Sequence, residues 1–172
     1  MSKFAMSHPV RGVLAASMLA LAACAPAPIY KPTPATVAAA PNMVAQSPER
    51  YAGADVIWGG RIVAVRNLAD HSEVEIVGYP LDNSQRPKAD NGGGWGRFIA
   101  VMPGYVESFD YPGGALITLS GRISGTRAGA VGQADYVFPL VSVAQSHLWT
   151  AAELQNGRGN VNFGVGVGVG IR

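Results

Sequence analysis

Apolar and polar positions alternate along several stretches of this 172-residue chain, and a period of two is typical of β-strands that bury one face. The clearest stretch, 56–66, is rich in β-branched residues. In the second stretch, 73–79, Val74 and Ile76 share one face while Glu73 and Glu75 share the other. After position 24, helical periodicity is confined to a short candidate helix at 150–155. The pattern predicts five strands, at 56–66, 73–79, 95–101, 115–124 and 136–145.

Five strands with short connections fit a small barrel better than a sandwich, which needs about seven strands. We therefore predict an all-β domain at 55–149, a five-stranded, partly closed barrel of the OB type. Gly59 and Gly60 predict a bulge or sharp bend in the first strand, and Pro139 predicts an edge position or a bulge in the fifth. The predicted core consists of Ile57, Ile62, Val63, Val65, Val74, Ile76, Phe98, Ile99, Leu116, Ile117, Leu119, Ile123, Val141 and Val143.

A different apolar pattern occupies the start of the chain. Lys3 and Arg11 precede an uninterrupted run of apolar and small residues at 13–23. This order is typical of a secretory signal peptide, and the run is well short of the roughly 20 residues that span a bilayer as a helix. Residues 1–23 are therefore predicted to be a signal peptide that is removed on export.

The leader ends in a tetrapeptide with the pattern of a lipobox, Leu21-Ala22-Ala23-Cys24. Cys24 is the single cysteine of the chain, so it has no partner for an intramolecular disulfide. We predict lipidation of Cys24 by a diacylglyceryl group and an N-acyl chain, because one acyl chain alone anchors a protein only marginally. No other cofactor is predicted. The alternative is a chance cysteine in an alanine-rich leader.

The segment at 24–54 combines the lipidated cysteine with prolines and alanines and has few large apolar residues. This composition predicts a disordered tether that reaches at most about 90 Å when extended. Ala25 follows the cysteine, and the absence of an aspartate there favours the outer membrane over retention in the inner membrane. Without Lys3 and Arg11 the mature chain has 11 basic and 11 acidic residues, so no nucleic-acid partner is predicted.

The end of the chain, 150–172, includes a stretch in which apolar residues alternate with glycine. It could add as a strand to a sheet edge of a partner or of another copy. A mobile tail is the equally supported alternative, because glycine in a strand costs conformational entropy.

Five side chains are candidates for a ligand-binding face, since one face of OB-type barrels can bind oligosaccharides. For several of them the competing interpretation is burial in the core. For His147 and Trp149, near the end of the domain, the competing interpretation is a cluster that caps the barrel. The five candidates are Trp58, Trp95, Tyr111, His147 and Trp149.

No catalytic residue is predicted. Asp70, His71 and Ser72 are adjacent in one predicted turn, whereas a triad is usually assembled from separate segments. His71 and His147 are the only histidines after the leader, and no further cysteine is present, so no metal site is predicted either.

Segments of the predicted domain resemble, in order, the Slp family of outer-membrane lipoproteins. The resemblance implies an outer-membrane-anchored, starvation-inducible lipoprotein of Gram-negative bacteria, and it implies little about mechanism, because no catalytic residues are defined for the family. The glycine-valine repeat has no counterpart in the resemblance. The segments that carry it are 56–67, Tyr79-Pro80-Leu81-Asp82 with Arg86-Pro87, Gly96-Arg97-Phe98, Phe138-Pro139-Leu140-Val141 and His147-Leu148-Trp149.

Two functions lead as hypotheses, ahead of a third, an envelope hydrolase, which only scattered His, Asp and Ser residues support. The first is a structural or interaction role in the cell envelope under stress or starvation, with the outer membrane as partner through the lipid anchor and an envelope protein or peptidoglycan as a further contact. The second is a module that binds a glycan or peptidoglycan through the aromatic side chains of the barrel face.

Overall fold

The fold is described from a computed structural model, which covers residues 27–90 and 93–156. Strands dominate this part of the chain, and all of its helices are short. In chain order the elements are α1 (Pro41–Gln46), α2 (Pro48–Tyr51), β1 (Asp55–Asn67), β2 (His71–Gly78), β3 (Arg97–Pro103), β4 (Leu116–Val131), β5 (Ala134–Leu148) and α3 (Ala151–Asn156).

The strands close into one barrel in the order β1-β2-β3-β5-β4. Neighbouring strands are antiparallel, except that β3 and β5 run parallel from the pair Ile99 and Leu140 onward. The predicted all-β, five-stranded barrel is therefore confirmed. Within the described residues, none of the helices is long and apolar enough to cross a membrane.

The last two strands are longer than predicted and extend beyond the barrel wall. β4 pairs with β1 as far as Arg122, and its pairing with β5 continues to the hairpin turn between Val131 and Ala134. We call residues 126–139 of this hairpin the arm. Gly125 adopts a φ of 152° where the arm leaves the wall, a conformation that glycine reaches more easily than other residues.

The bulge in β1 lies at Val63 rather than at the two glycines. Ile62 pairs with Ile76 and Ala64 pairs with Glu75, so Val63 is the extra residue. After the bulge, the odd-numbered instead of the even-numbered residues of β1 point towards the core. Val63 lies at the switch and is 40% exposed, although it was predicted to be core.

Gly59 and Gly60 instead allow neighbouring backbones to approach closely. A Cβ atom on Gly60 would lie 2.0 Å from the carbonyl oxygen of Val77 in β2, and one on Gly59 would lie 2.9 Å from that of Ile117 in β4. The glycine pair thus accommodates the strands on both sides of β1.

The core contains most of the predicted residues, including the fully buried Phe98, Ile117 and Leu119. Ile57 and Leu116 are only half-buried, because they lie on the outward face of the wall. Val65 and Val143 pack at the margin of the core. The prediction omitted Val56, Trp58, Ala100, Met102, Ala39, Val44 and Tyr51, all of which are buried there.

The predicted disordered tether is wrong for much of its length. Val44 in α1 is fully buried and Tyr51 in α2 is 9% exposed, and both belong to the core. The indole nitrogen of Trp58 donates a hydrogen bond of 2.7 Å to the carbonyl of Ala39. The packed domain therefore begins well before the predicted boundary at 55.

Two of the prolines that suggested disorder are helix-starting residues. Pro41 and Pro48 occupy the first turns of α1 and α2, where a proline removes no intrahelical hydrogen bond. Further upstream, Tyr30 exchanges two hydrogen bonds with the side chain of Gln85, at 2.7 and 2.8 Å. The chain is thus attached to the β2–β3 connection at Tyr30, and residues 24–26 lie outside the described part.

The remaining local predictions concern Pro139 and the short helix. Pro139 directly precedes the β5 residues that pair with β3, and the register of β4 shifts nearby, between Ile123 and Gly125. The edge alternative is the one that the structure shows, because Pro139 pairs with Thr126 of β4 while the pairing of β5 with β3 begins only at Leu140. The nearby bulge lies in β4, with Ser124 as the extra residue. The predicted helix near 150 is present as α3, and the side chain of Glu153 accepts hydrogen bonds from the N–H and hydroxyl of Thr150 as in a capping box. The tail at 157–172 lies outside the described residues.

Candidate functional site

A groove runs between the outer face of the barrel and the arm, with a cavity volume of about 310 Å³. Its floor is formed by outward-facing residues of β1, β2 and β3, and its second wall is the inner face of the arm. We call it the arm groove. Its lining residues are Ala64, Arg66, Glu73, Glu75, Ile99, Arg127, Gly129, Ala130 and Phe138.

Strand alternation places the acidic residues on the floor of this groove. Val74 and Ile76 are fully buried in the core, so Glu73 and Glu75 must point outward from β2. Ile99 lies between the core residues Phe98 and Ala100 of β3, and it is buried on the outer face, under the arm. Sequence alternation identified the outward carboxylates but assigned Ile99 to the core.

The arm is fixed to β3 through aromatic side chains. The backbone N–H of Arg97 donates a hydrogen bond of 2.6 Å to the hydroxyl oxygen of Tyr136. The rings of Tyr136 and Phe138 meet edge to face, with centroids 4.8 Å apart. A Cβ atom on Gly129 would lie 3.0 Å from the Phe138 ring, so this glycine leaves room for the aromatic side chain opposite it.

Glu73 is held between two arginines that come from different parts of the chain. Arg127 of the arm donates to one carboxylate oxygen at 2.6 Å, and Arg66 of β1 donates to the other at 2.6 Å. We call these three residues the Glu73 clamp. The hydrogen bond from Arg127, together with that from Arg66, lowers the pKa of Glu73 to about 2 although burial opposes this shift.

Positive charge faces the solvent in the groove. The side chains of Arg66 and Arg127 are 60% and 39% exposed, whereas that of Glu73 is 8% exposed. Beside the clamp, Arg97 pairs with Glu75 at 2.6 Å. The buried carboxylate therefore positions two guanidinium groups whose remaining N–H donors are accessible.

The arm, and with it the groove, escaped the sequence prediction. The fourth predicted strand ended at 124, before Arg127, because the following residues lack an apolar alternation. The signal that could have extended it is the two-residue connection Gly132-Gln133 between paired residues, since a glycine in such a loop favours a tight hairpin.

The five predicted ligand-face residues do not form one face. Trp58 is in the core, where its ring meets Phe98 edge to face at 5.0 Å, so its assignment to a ligand face is wrong. Tyr111 packs against the core and is half-buried. Trp95 is 44% exposed, and its carbonyl accepts a hydrogen bond from Asn42 of α1.

His147 and Trp149 do meet, with ring centroids 4.8 Å apart. The indole nitrogen of Trp149 donates to the hydroxyl of Thr118, which in turn donates to the carbonyl of Gln85. Because Thr118 points outward between two core residues, the pair covers the barrel wall rather than its end. Trp149 also borders a second cleft, of about 520 Å³, whose other walls include Arg61, Arg86 and Lys88.

The sequence Asp70-His71-Ser72 has no triad geometry. His71 Nδ1 lies 2.7 Å from an exposed Asp70 carboxylate, while the hydroxyl of Ser72 is buried and accepts the N–H of Val106 at 2.9 Å. Ser72 and His71 are consecutive in β2 and point to opposite faces. Among the described residues, no group of three His, Cys, Asp or Glu side chains could hold a metal ion.

The lipobox residues Leu21, Ala22, Ala23 and Cys24 lie outside the described residues. Lipidation of Cys24 therefore stays a prediction from the sequence.

Comparison with known proteins identifies relatives of this chain. The family described as "Outer membrane lipoprotein Slp family" matches residues 21–164, a range that starts at the first residue of the predicted lipobox. The "Uncharacterized lipoprotein YeaY" of Escherichia coli (strain K12) is 32% identical over 106 residues, which are 62% of this chain and 54% of that protein. The "Outer membrane protein Slp" of the same organism is 27% identical over 118 residues, 69% of this chain and 62% of that protein.

The chain thus spans about half the length of the first relative and about three fifths of the second. Among solved structures, Schizosaccharomyces pombe Pot1pC bound to single-stranded DNA matches with a TM-score of 0.29 and 7% identity, over 75% of this chain and 89% of that one. A likeness at that level carries no argument about function. The family match covers most of the chain, from the lipobox through the barrel, and shows that the chain belongs to the Slp family of outer-membrane lipoproteins and is located at the outer membrane.

Proposed function

We propose that this lipoprotein is an interaction module, which binds a component of the cell envelope in the arm groove. The observation that carries the proposal is the Glu73 clamp, because it buries a carboxylate in order to hold two arginine side chains at the rim of an open groove. Fixed side chains lose little conformational entropy when a partner binds. The proposal is one of binding, and it assigns no reaction to the chain.

In this proposal a diacylglyceryl group and an N-acyl chain on Cys24 hold the domain at the membrane, on the periplasmic side. Tyr30 is already bonded to the barrel through Gln85. Five residues lie between Cys24 and Tyr30, and the chain from one to the other extends over at most about 20 Å. The groove would therefore stay close to the membrane surface, in contrast to the 90 Å reach expected from a long tether.

The test is photo-crosslinking in living cells. A photoreactive amino acid at Ala130, an exposed residue of the groove wall, should yield a crosslinked envelope component. The same amino acid at Ala38, which is exposed but does not line the groove, is the matched control. Absence of a product at Ala130, or equal products at both positions, would contradict the proposal.

We also propose a role in starvation, which the resemblance to the Slp family supports. The amount of protein, measured by immunoblot, should rise when exponentially growing cells exhaust their carbon source. Constant amounts in growing and starved cells would rule this role out.

A further inference from the structure

We infer that the arm groove binds a saccharide that carries a carboxylate, and that Arg66 and Arg127 bind this carboxylate. The inference rests on the proposed function and specifies the chemical class of the bound component.

The charges of the groove favour an anion. Its two acidic residues are engaged by arginine, Glu73 by Arg66 and Arg127 and Glu75 by Arg97. The carboxylate of Glu73 is buried beneath the guanidinium groups, so an approaching ligand meets cations first. Three guanidinium groups against two carboxylates leave this cluster with one net positive charge.

The guanidinium groups retain the donors that a carboxylate needs. Each guanidinium has five N–H donors in a rigid planar fork, and each of the two clamp arginines is bonded to Glu73 through one nitrogen. Because both arginines bind the same carboxylate, their guanidinium groups lie on two sides of the Glu73 carboxylate. Glu73 occupies the position between them, so a ligand oxyanion would bind on the solvent side of the two guanidinium groups, where their remaining donors could give it charge-assisted hydrogen bonds.

The rest of the groove suits a sugar ring. Ala64, Gly129 and Ala130 are small residues that leave the space between floor and arm open, and Ile99 and Phe138 provide apolar surface. The volume of about 310 Å³ is at the lower end of the range for small-molecule sites, which limits the ligand to a short segment.

The position of the groove on the fold favours a saccharide over other anionic ligands. In OB-type barrels the face of strands 2 and 3 and the β4–β5 connection bind oligonucleotides and oligosaccharides. The arm groove lies between β2, β3 and the β4–β5 arm, and the neutral charge balance of the mature chain provides no basic field for a nucleic acid.

Calorimetric titration of the lipidated full-length protein in detergent tests the inference. The first probe is a disaccharide of N-acetylglucosamine and N-acetylmuramic acid with a free carboxylate, and the second is the same disaccharide with its carboxylate reduced to an alcohol. The third probe is a short peptide with a free carboxylate. We expect binding of the first probe only, weakening as salt is raised.

Arg66→Gln and Arg127→Gln should each weaken binding of the acidic disaccharide about tenfold or more, because a charge-assisted contact is lost. Arg122→Gln is the matched control: Arg122 is an exposed arginine paired with Asp55 outside the groove, and its loss should leave affinity within about twofold. Arg66→Lys preserves the charge against Glu73, so a loss of affinity in this variant together with an unchanged melting temperature would separate recognition from folding.

Equal binding of the acidic and reduced disaccharides would overturn the inference, as would equal binding of the peptide. If the disaccharide does not bind but Ala130 still crosslinks to an envelope component, the ligand class is wrong and the proposed function stands. If Ala130 yields no crosslink in cells, the proposed function fails independently of the titration.

Discussion

Glu73 combines two properties that rarely occur together in an outward-facing residue of a strand, burial and a full negative charge. Its side chain is 8% exposed, and its pKa is lowered to about 2 chiefly by the hydrogen bond from Arg127. A buried carboxylate of this kind is stable only while its cationic partners remain in place. The Glu73 clamp therefore couples β1 and β2 to the arm.

Glu73→Gln tests this coupling. The neutral side chain has nearly the same shape but loses the charge-assisted hydrogen bonds, so we expect a free energy of unfolding lower by about 1–3 kcal/mol at pH 7. Urea denaturation measures the change. Glu107→Gln, at an exposed glutamate, is the control and should change stability by less than about 0.5 kcal/mol.

The effect of Glu73→Gln should depend on pH. A carboxylate whose pKa is lower in the folded state stabilises the fold above its ordinary value of 4.5, and this contribution disappears as the pH falls through about 2. The stability difference between wild type and Glu73→Gln should thus be constant above pH 5 and shrink towards pH 2. A difference that is the same at pH 7 and pH 2 would contradict the assignment of the shift to Glu73.

Gly60→Ala should be strongly destabilising. The new Cβ atom would lie 2.0 Å from the carbonyl oxygen of Val77, so β1 and β2 must separate to admit it. We expect a loss of about 2–3 kcal/mol in the free energy of unfolding, measured by urea denaturation. Gly113→Ala is the matched control, because its Cβ atom would lie 3.6 Å from the nearest oxygen, that of Val63, and little change is expected there.

At the level of elements, α1 converts a segment with the composition of a linker into part of the core. The helix has only six residues and is too short to be stable alone, so its stability comes from packing against the barrel. Pro41 and Val44 make this contact, and Val44 has no exposed surface.

Val44→Ala measures the contribution of α1. Removing two methyl groups from a fully buried site should lower the free energy of unfolding by about 2 kcal/mol. Met43 is the neighbouring residue and is 45% exposed, so Met43→Ala is the control and should have a small effect. Equal effects of the two substitutions would mean that the segment does not pack on the barrel in solution.

At the scale of the whole molecule, the sequence predicts that attachment to the membrane depends on Cys24. We expect that the wild-type protein is labelled by radioactive palmitate and that Cys24→Ala abolishes both the label and recovery in the membrane fraction. Cys24 precedes the first buried core residue, Ala39, by 15 positions, so the barrel itself should retain its melting temperature. A wild-type protein without label would refute lipidation of Cys24.

The sequence by itself determined the existence of the five strands and the location at the outer membrane, because both depend on local patterns. A period of two in side-chain polarity identifies a strand wherever it lies in the chain, and Val74 and Ile76 do point inward while Glu73 and Glu75 point outward. The leader, the lipobox and the segments that resemble the Slp family are likewise contiguous stretches of sequence.

Only the tertiary structure decided where the functional surface lies. Arg66, Glu73 and Arg127 meet because β1 and β2 pair and the arm folds back over them, and Arg127 is 54 residues from Glu73 in the chain. Burial of α1 and the inward turn of Trp58 have the same origin, since each fills space that exists only once the barrel has closed. Local polarity indicates which face of a strand is outward, but which outward residues become neighbours is decided by the long-range closure of the sheet.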